Sequence, residues 1–299
     1  MMATGSQPRL RGELRRDEPM ARHTSWRAGG AAARFYRPAD LDDLAAFLSG
    51  LPVDEPLLWL GLGSNLLVRD GGVRGTVIYT QGGLDHLEQT DARTVRAEAG
   101  VACAKVARFC ARLGLVGAEF LAGIPGTMGG ALAMNAGAFG GETWARVVEV
   151  ETVDRHGVRR TRSRDDYQVG YRSVQGPAGE WFLAAHLRLE AGDSAAIQAR
   201  IKTLLDQRGR SQPIGLPSCG SVFRNPEGDH AARLIDAAGL KGACIGAACV
   251  SDKHANFIVN TGDAKAADIE ALIEHVRRTV QEKFGVELQP EVRIVGEKT

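Results

Sequence analysis

The chain has 299 residues, 44 % of them hydrophobic and 24 % charged, enough to bury a sizeable core in two or three units of an ordinary globular protein. A formal net charge of +1 gives no reason to expect nucleic acid or an anionic membrane as partner. No run approaches the ~20 apolar residues of a spanning helix, so no membrane insertion is expected, and an anionic ligand has to be met by local arginines.

The cysteines (Cys103, Cys110, Cys219, Cys244 and Cys249) are odd in number and form no C-x-x-C, and no H-E-x-x-H ligand cluster is present. Metal and disulfide readings are therefore both weak, and a reduced, intracellular compartment fits. Residues 1–22 are polar and arginine-rich with no apolar signal core, which reads as a disordered leader.

From Thr24 onward the pattern is that of a folded chain. Asp40 is an N-cap ahead of Leu41, Leu44, Ala45 and Leu48 at helical spacing. Leu57–Leu60 reads as a buried strand, and Gly61-Leu-Gly-Ser-Asn65 turns out of it into a short strand, Leu66–Val68. A dinucleotide fingerprint would need a third glycine where Leu66 stands and a helix after it, so that reading fails. What remains is a turn whose free N–H groups, with Ser64 and Asn65, suit a pyrophosphate. Strands follow at 75–80 and 94–99, then a helix with Val106, Phe109, Cys110 and Leu113 on one face, stopped by Gly114.

Residues 121–141 set Gly123, Gly126, Gly129, Gly130 and Gly137 among Ile124, Met128, Leu132, Met134 and Phe139. A flexible linker would carry Ser, Pro and charge instead. Glycine without Cβ lets backbone approach a ligand, so the stretch points to a flat or phosphorylated group wrapped by main chain. Strands at 147–153 and 181–189 bracket a turn-rich segment, 166–173. Helices are expected at about 194–208, 230–238 and 264–284, the last stopped by Gly285, and a final strand at 287–295 carries Glu291 and Arg293. The irregular interleaving of strands and helices argues an α+β fold.

Five stretches match one family in order and spacing: Gly61-Leu-Gly-Ser-Asn65; Gly123-Ile-Pro-Gly126 with Gly129-Gly130 and Asn135-Ala-Gly137; Gly170-Tyr-Arg172; Gly220-Ser-Val-Phe-Arg-Asn-Pro226; and Pro290-Glu-Val-Arg-Ile-Val-Gly296. Together they cover about residues 24–296, and the chain closely resembles the UDP-N-acetylenolpyruvoylglucosamine reductase (MurB) family. The absence of any tyrosine after Tyr171 makes it similar to the family's shorter form, which lacks a tyrosine-bearing insertion.

The resemblance implies an FAD-binding region of the vanillyl-alcohol-oxidase or PCMH type over 23–192, in two parts (about 23–82 and 83–192), and a substrate-binding unit over 193–299. It implies an NADPH-dependent flavoenzyme that reduces the enolpyruvyl ether of UDP-N-acetylglucosamine-enolpyruvate to UDP-N-acetylmuramate for peptidoglycan and the cell wall. Cytoplasmic location and a monomer are expected. FAD is expected to be noncovalent, because residues 61–70 contain no histidine to tether it. Its pyrophosphate falls to Gly61, Gly63, Ser64, Asn65 and Leu66, and its ring system to Gly123, Ile124, Pro125, Gly126, Thr127, Gly129, Gly130, Asn135 and Gly137.

Arg172, Ser221 and Glu291 match the family's catalytic positions. Hydride addition to the terminal enolpyruvyl carbon leaves negative charge beside the carboxylate, which needs a cation, a proton donor and placed dipoles. Arg172 can fork onto the carboxylate and Ser221 can donate the proton, while Glu291 beside a developing enolate must be protonated, hydrogen-bonded to an intermediary, or paired with a cation. Asn225 matches a substrate-binding position, and Tyr171, Arg208, Arg224 and Lys241 are candidate partners for diphosphate or carboxylate. Two other readings are another flavin oxidoreductase of this fold and a non-catalytic flavin- or UDP-sugar-binding protein. Keeping Arg172, Ser221 and Glu291 together argues against the second, since binding alone requires no proton donor.

Overall fold

The computed structural model describes residues 10–299, so residues 1–9 of the expected leader lie outside the described part. Residues 10–22 are not a leader. Strand β1 (Glu13–Pro19) pairs antiparallel with β2 (Ala31–Arg37), Glu13 opposite Arg37 and Pro19 opposite Ala31, and Met20 after it is fully buried. Its charge disguised it. β1 is a sheet edge, where charged side chains are the usual protection against further pairing, and Arg15 sits between Glu13 and Glu18 at 2.7 and 3.0 Å.

The first unit continues through α1 (Leu41–Ser49), β3 (Leu57–Leu60), β4 (Leu66–Val68) and β5 (Val73–Tyr79). Asp40 caps α1 as its spacing predicts, accepting the Asp43 N–H at 2.9 Å. The sheet order is β1-β2-β5-β3, with β5 parallel to both β2 and β3.

The second unit comprises β6 (Leu87–Asp91), β7 (Thr94–Glu98), α2 (Cys103–Arg112), α3 (Met128–Met134), β8 (Val147–Asp154), β9 (Arg159–Ser163), the small hairpin β10 (Gln168–Gly170) and β11 (Ser173–Gln175), and β12 (Glu180–Arg188). An antiparallel sheet, β9-β8-β12-β7-β6, shares one core cluster with the inner faces of α2 and α3. Cys103 and Cys110 lie inside it, their thiols pushed up to about 12 by burial, so both are inert packing groups. Helix α4 (Ser194–Ser211) buries Ile197 and Ile201 in this same cluster, although in sequence it opens the third unit.

One polar cluster ties three strands of that sheet. Arg96 of β7 donates from Nε and Nη2 to both oxygens of Glu151 on β8 at 2.6 and 2.8 Å, and His186 of β12 lies 2.9 Å from the same carboxylate. Arg96 chiefly, with His186, pulls the Glu151 carboxyl down to about 2. A depressed carboxylate contributes stability at pH above its ordinary value, and that stability is lost as pH falls toward 2. Arg96→Met is accordingly expected to destabilise by about 3 kcal/mol at pH 7. Urea melts should show the deficit shrinking below pH 4, and a pH-independent deficit would mean that only packing was lost.

The third unit holds α5 (Ala231–Ala237), β13 (Cys244–Ile245), β14 (Ala248–Val250), β15 (Ile258–Asn260), α6 (Ala266–Phe284) and β16 (Arg293–Val295). Against the expectation of unpaired cysteines, Cys244 and Cys249 form a disulfide. A two-residue turn between Ile245 and Ala248 brings them directly opposite in the antiparallel β13–β14 pair, with Cα atoms 4.1 Å apart. Counting cysteines could not reveal that register.

The final strand is also shorter than expected. Only 293–295 forms a ladder, parallel to β4 with Arg293 opposite Leu66. Pro290 has no N–H to extend it, and the Glu291 N–H turns away to donate to Val222 O at 2.7 Å. Two further ties lock this unit to the first. Trp26 Nε1 donates to Ile258 O at 2.7 Å, and the Asp70 carboxylate accepts the Ala266 and Ala267 N–H groups at 3.0 and 2.9 Å, capping α6 from across the chain.

Candidate active site

The two glycine-rich stretches meet. A Cβ on Gly61 would overlap Thr127 Oγ1, and one on Gly126 would stand 3.4 Å from Ser64 Oγ, so the turn after β3 lies against the residues leading into α3. The Gly129-Gly130 pair divides by role. A Cβ on Gly129 would press on Ala99 at 3.0 Å, so that glycine serves packing of α3 against the end of β7. On Gly130 it would find nothing nearer than Thr127 Oγ1 at 4.0 Å, which leaves an open face for a group lying along α3.

At the far end of α3 the hairpin β10–β11 presents Tyr171 and Arg172 at its tip. Arg172 adopts φ +53°, unusual for a residue with a side chain. Its Nε lies 3.0 Å from Glu291 Oε1, close yet not aligned for a hydrogen bond, and its Nη2 donates to Gly137 O at 3.5 Å. Arg224 Nη2 donates to the Arg172 carbonyl at 3.4 Å. The buried Nε atoms of Arg172 and Arg224 have no aligned acceptor among the described residues. Burial pushes the Glu291 carboxyl above its ordinary value, against the opposing pull of Arg172 and Arg224.

Ser221 enters from the third unit. It is half-buried after Gly220, and its hydroxyl makes no hydrogen bond to protein among the described residues. The residue after it, Val222, accepts the Glu291 N–H and donates its own N–H to Asn256 O at 2.9 Å. Asn256 also grips Phe223 on both sides, accepting its N–H at 2.9 Å and donating to its carbonyl at 2.8 Å. Ser221, Glu291 and Arg172, 119 positions apart in sequence at the extremes, are thereby drawn into one place.

Other candidates lie differently. Tyr171 is 53 % exposed, its ring 5.6 Å from the Arg172 guanidinium. Asn225 Oδ1 accepts the Ala231 N–H at 3.1 Å at the start of α5. Arg208, on α4, donates to Gln212 Oε1 at 2.9 Å and is pulled down by burial. Lys241 is held at the surface by Asp236 at 2.7 Å. The amide N–H groups of Asn65 and Asn135 are all donated to protein acceptors. Sequence reading passed over Asn256 and also Cys219, whose buried thiol donates to Leu66 O at 3.4 Å and so joins the serine segment to the glycine turn. Both act through backbone partners that no local pattern records.

Residues 212–295 match the family described as UDP-N-acetylenolpyruvoylglucosamine reductase, C-terminal domain, and residues 32–162 match an FAD binding domain. The chain is 71 % identical over 286 residues to the UDP-N-acetylenolpyruvoylglucosamine reductase of Alkalilimnicola ehrlichii, covering 96 % of each. The chain belongs to the UDP-N-acetylenolpyruvoylglucosamine reductase family. Its relative of that name from Methylococcus capsulatus is 63 % identical over 96 % of this chain and 94 % of the relative. The crystal structure of the reductase (MurB) from Thermus caldophilus has a TM-score of 0.81 at 32 % identity, covering 96 % of this chain and 99 % of that one.

As a member of this reductase family, the protein is an FAD-dependent oxidoreductase that reduces UDP-N-acetylglucosamine-enolpyruvate with NADPH in peptidoglycan precursor synthesis. The α+β architecture of an FAD-binding region with a reductase C-terminal domain agrees with the sequence reading. The readings as another flavin oxidoreductase or a non-catalytic binder give way to these likenesses. The open face at Gly130 and the abutting glycine turns fit a flat dinucleotide cofactor.

Proposed function

We propose that Arg172, Ser221 and Glu291 carry the enolpyruvyl reduction, at a site where noncovalent FAD has its pyrophosphate on the main chain of residues 61–66 and its ring system along residues 123–137. The observation that carries this is the half-buried pair Arg172 and Arg224, whose buried Nε atoms have no aligned acceptor among the described residues, beside a carboxyl pushed up by burial and a serine hydroxyl with no hydrogen bond to protein there. An Nε–H without an aligned acceptor suits an incoming anion, and the substrate's carboxylate supplies one. Held at this site, FAD would supply the hydride chemistry, with NADPH as the reductant and the terminal enolpyruvyl carbon as the acceptor. Arg172 holds the negative charge that develops next to the carboxylate, and Ser221 delivers the proton that completes the lactyl ether.

For the rest of the substrate we assign the exposed Asn225, with Tyr171, Arg224 and Arg208, to the diphosphate and sugar. Arg208 has no carboxylate within 4.0 Å among the described residues, whereas Lys241 has to leave Asp236 to take part. We assign the cofactor region to about 10–82, since β1 belongs to its sheet, and 83–192, and the substrate unit to residues 193–299 with α4 as its anchor on the cofactor side. No helix among the described residues is long and apolar enough to cross a membrane. We place the protein in the cytoplasm as a monomer, which gel filtration of the yellow protein tests.

The function test is anaerobic. NADPH should bleach the flavin band and the enolpyruvyl UDP-sugar should restore it, with an equivalent of lactyl product. The cofactor placement has its own test at the glycine pair. Gly130→Val should fold, by circular dichroism, but lose at least about tenfold in flavin affinity because its side chain enters ligand space. A fully yellow, active Gly130→Val protein would remove that placement.

A further inference from the structure

Neither Asn135 nor Asn65 has an amide hydrogen left for a ligand, although both lie in stretches assigned to the cofactor. Asn135 is 2 % exposed and closes α3 at φ +43°. Its Nδ2 donates to Gly170 O at 3.2 Å and Glu142 Oε2 at 3.0 Å, while its Oδ1 accepts the Trp144 N–H at 3.1 Å. Both amide hydrogens are therefore taken. Gly170 is the last residue of β10, two before Arg172, and Gly137, two beyond Asn135, receives the Arg172 guanidinium. The turn after α3 thus holds the Arg172 hairpin by its main chain and by its charged end.

On the other side of the ion pair, Asn65 Nδ2 donates to Glu291 O at 3.1 Å and to Met134 Sδ at 3.1 Å, and Asn65 O accepts the Arg293 N–H at 3.1 Å. Met134 and Asn135 are consecutive residues at the end of α3. One asparagine therefore grips the arginine hairpin and the other grips the main chain of the glutamate, both against the same helix end. Such grips matter because a hairpin with three residues per strand has little stability of its own, and the pair it must meet lies on a different unit.

We propose that Asn135, with Asn65 opposite it, is a positioning residue that keeps Arg172 in register with Glu291 during enolpyruvyl reduction. The inference rests on the catalytic reading of Arg172 and Glu291 given above. A register error on the order of 1 Å costs about 10²-fold in a reaction that depends on aligned groups, whereas hydride acceptance from NADPH makes no use of this pair. The charged groups facing Glu291 are Arg172 and Arg224, so loosening Arg172 also weakens the pull that opposes burial.

The test uses the holoenzyme of Asn135→Gly, which keeps the left-handed backbone and removes only the amide. FAD should stay bound and bleaching by NADPH should stay within about threefold of the parent, while recolouring by the enolpyruvyl UDP-sugar slows roughly 10- to 100-fold. The pH inflection of recolouring should move upward. Loss of flavin, equal slowing of both half-reactions, or recolouring at the parent rate would each overturn the proposal. Should Asn135→Gly fail to fold, Asn65→Ala carries the same expected signature, and recolouring at the parent rate in that variant overturns it equally. Arg172→Lys and Glu291→Gln run in parallel separate the two levels. Parent rates in both sink the catalytic reading, whereas slow recolouring in them with a parent rate in Asn135→Gly sinks the positioning inference alone.

Discussion

Ser221→Ala is expected to slow recolouring of the reduced flavin by enolpyruvyl substrate by ~10²–10⁴, the usual contribution of a positioned general acid, while bleaching by NADPH stays near the parent rate. The asymmetry follows from where protons are needed. Hydride transfer to the terminal carbon moves an electron pair onto the carbon beside the carboxylate, and that carbon alone must receive a proton from the protein. A serine hydroxyl is a weak acid in water, but a carbanion or enolate is a strong base, so a weak acid held in reach is adequate. The structure supplies such a holding. Glu291 N–H to Val222 O, Val222 N–H to Asn256 O and the two Asn256–Phe223 bonds fix the segment, and none of them uses the serine hydroxyl. Ser221→Cys should recover part of the rate, since a thiol is the stronger acid. Stopped-flow recovery of the flavin band decides the matter. If the alanine variant recolours as fast as the parent and releases normal product, the donor is elsewhere, with the protonated Glu291 next in line.

Removing the Arg172 charge is expected to be nearly as costly. Arg172→Met should lower the enolpyruvyl half-reaction by ~10²–10³, as loss of a preorganised charge aimed at a developing anion does, with flavin still bound. Arg172→Lys keeps the charge without the planar fork and should fall between the two proteins. A titration signature accompanies the rate. Burial already pushes the Glu291 carboxyl up, and Arg172 is the larger of the two opposing influences, so Arg172→Met should raise that carboxyl further and shift the pH profile of recolouring to the alkaline side. Unchanged turnover and an unchanged profile in Arg172→Met would show that the arginine is peripheral.

Much of this protein was legible because it is written locally. Asp40 ahead of an apolar period, Gly285 in the left-handed cap of α6, and small residues where backbone must approach something are signals carried within a few positions, by sterics and hydrogen bonds that hardly depend on the rest of the chain. The five motif stretches extended that legibility to the family and its cofactor. Tertiary structure decided whatever depends on a distant partner. β1 looks like a charged leader until β2 pairs with it, Cys244 and Cys249 look unmatched until a two-residue turn sets their register, and the Ala266 and Ala267 N–H groups at the start of α6 find their acceptor only when Asp70 arrives from a distant segment. Asn65 and Asn135 belong to the same class. Their residue type and spacing suit a ligand, yet each amide has only two hydrogens, and which acceptors take them is settled by the segments that folding brings alongside.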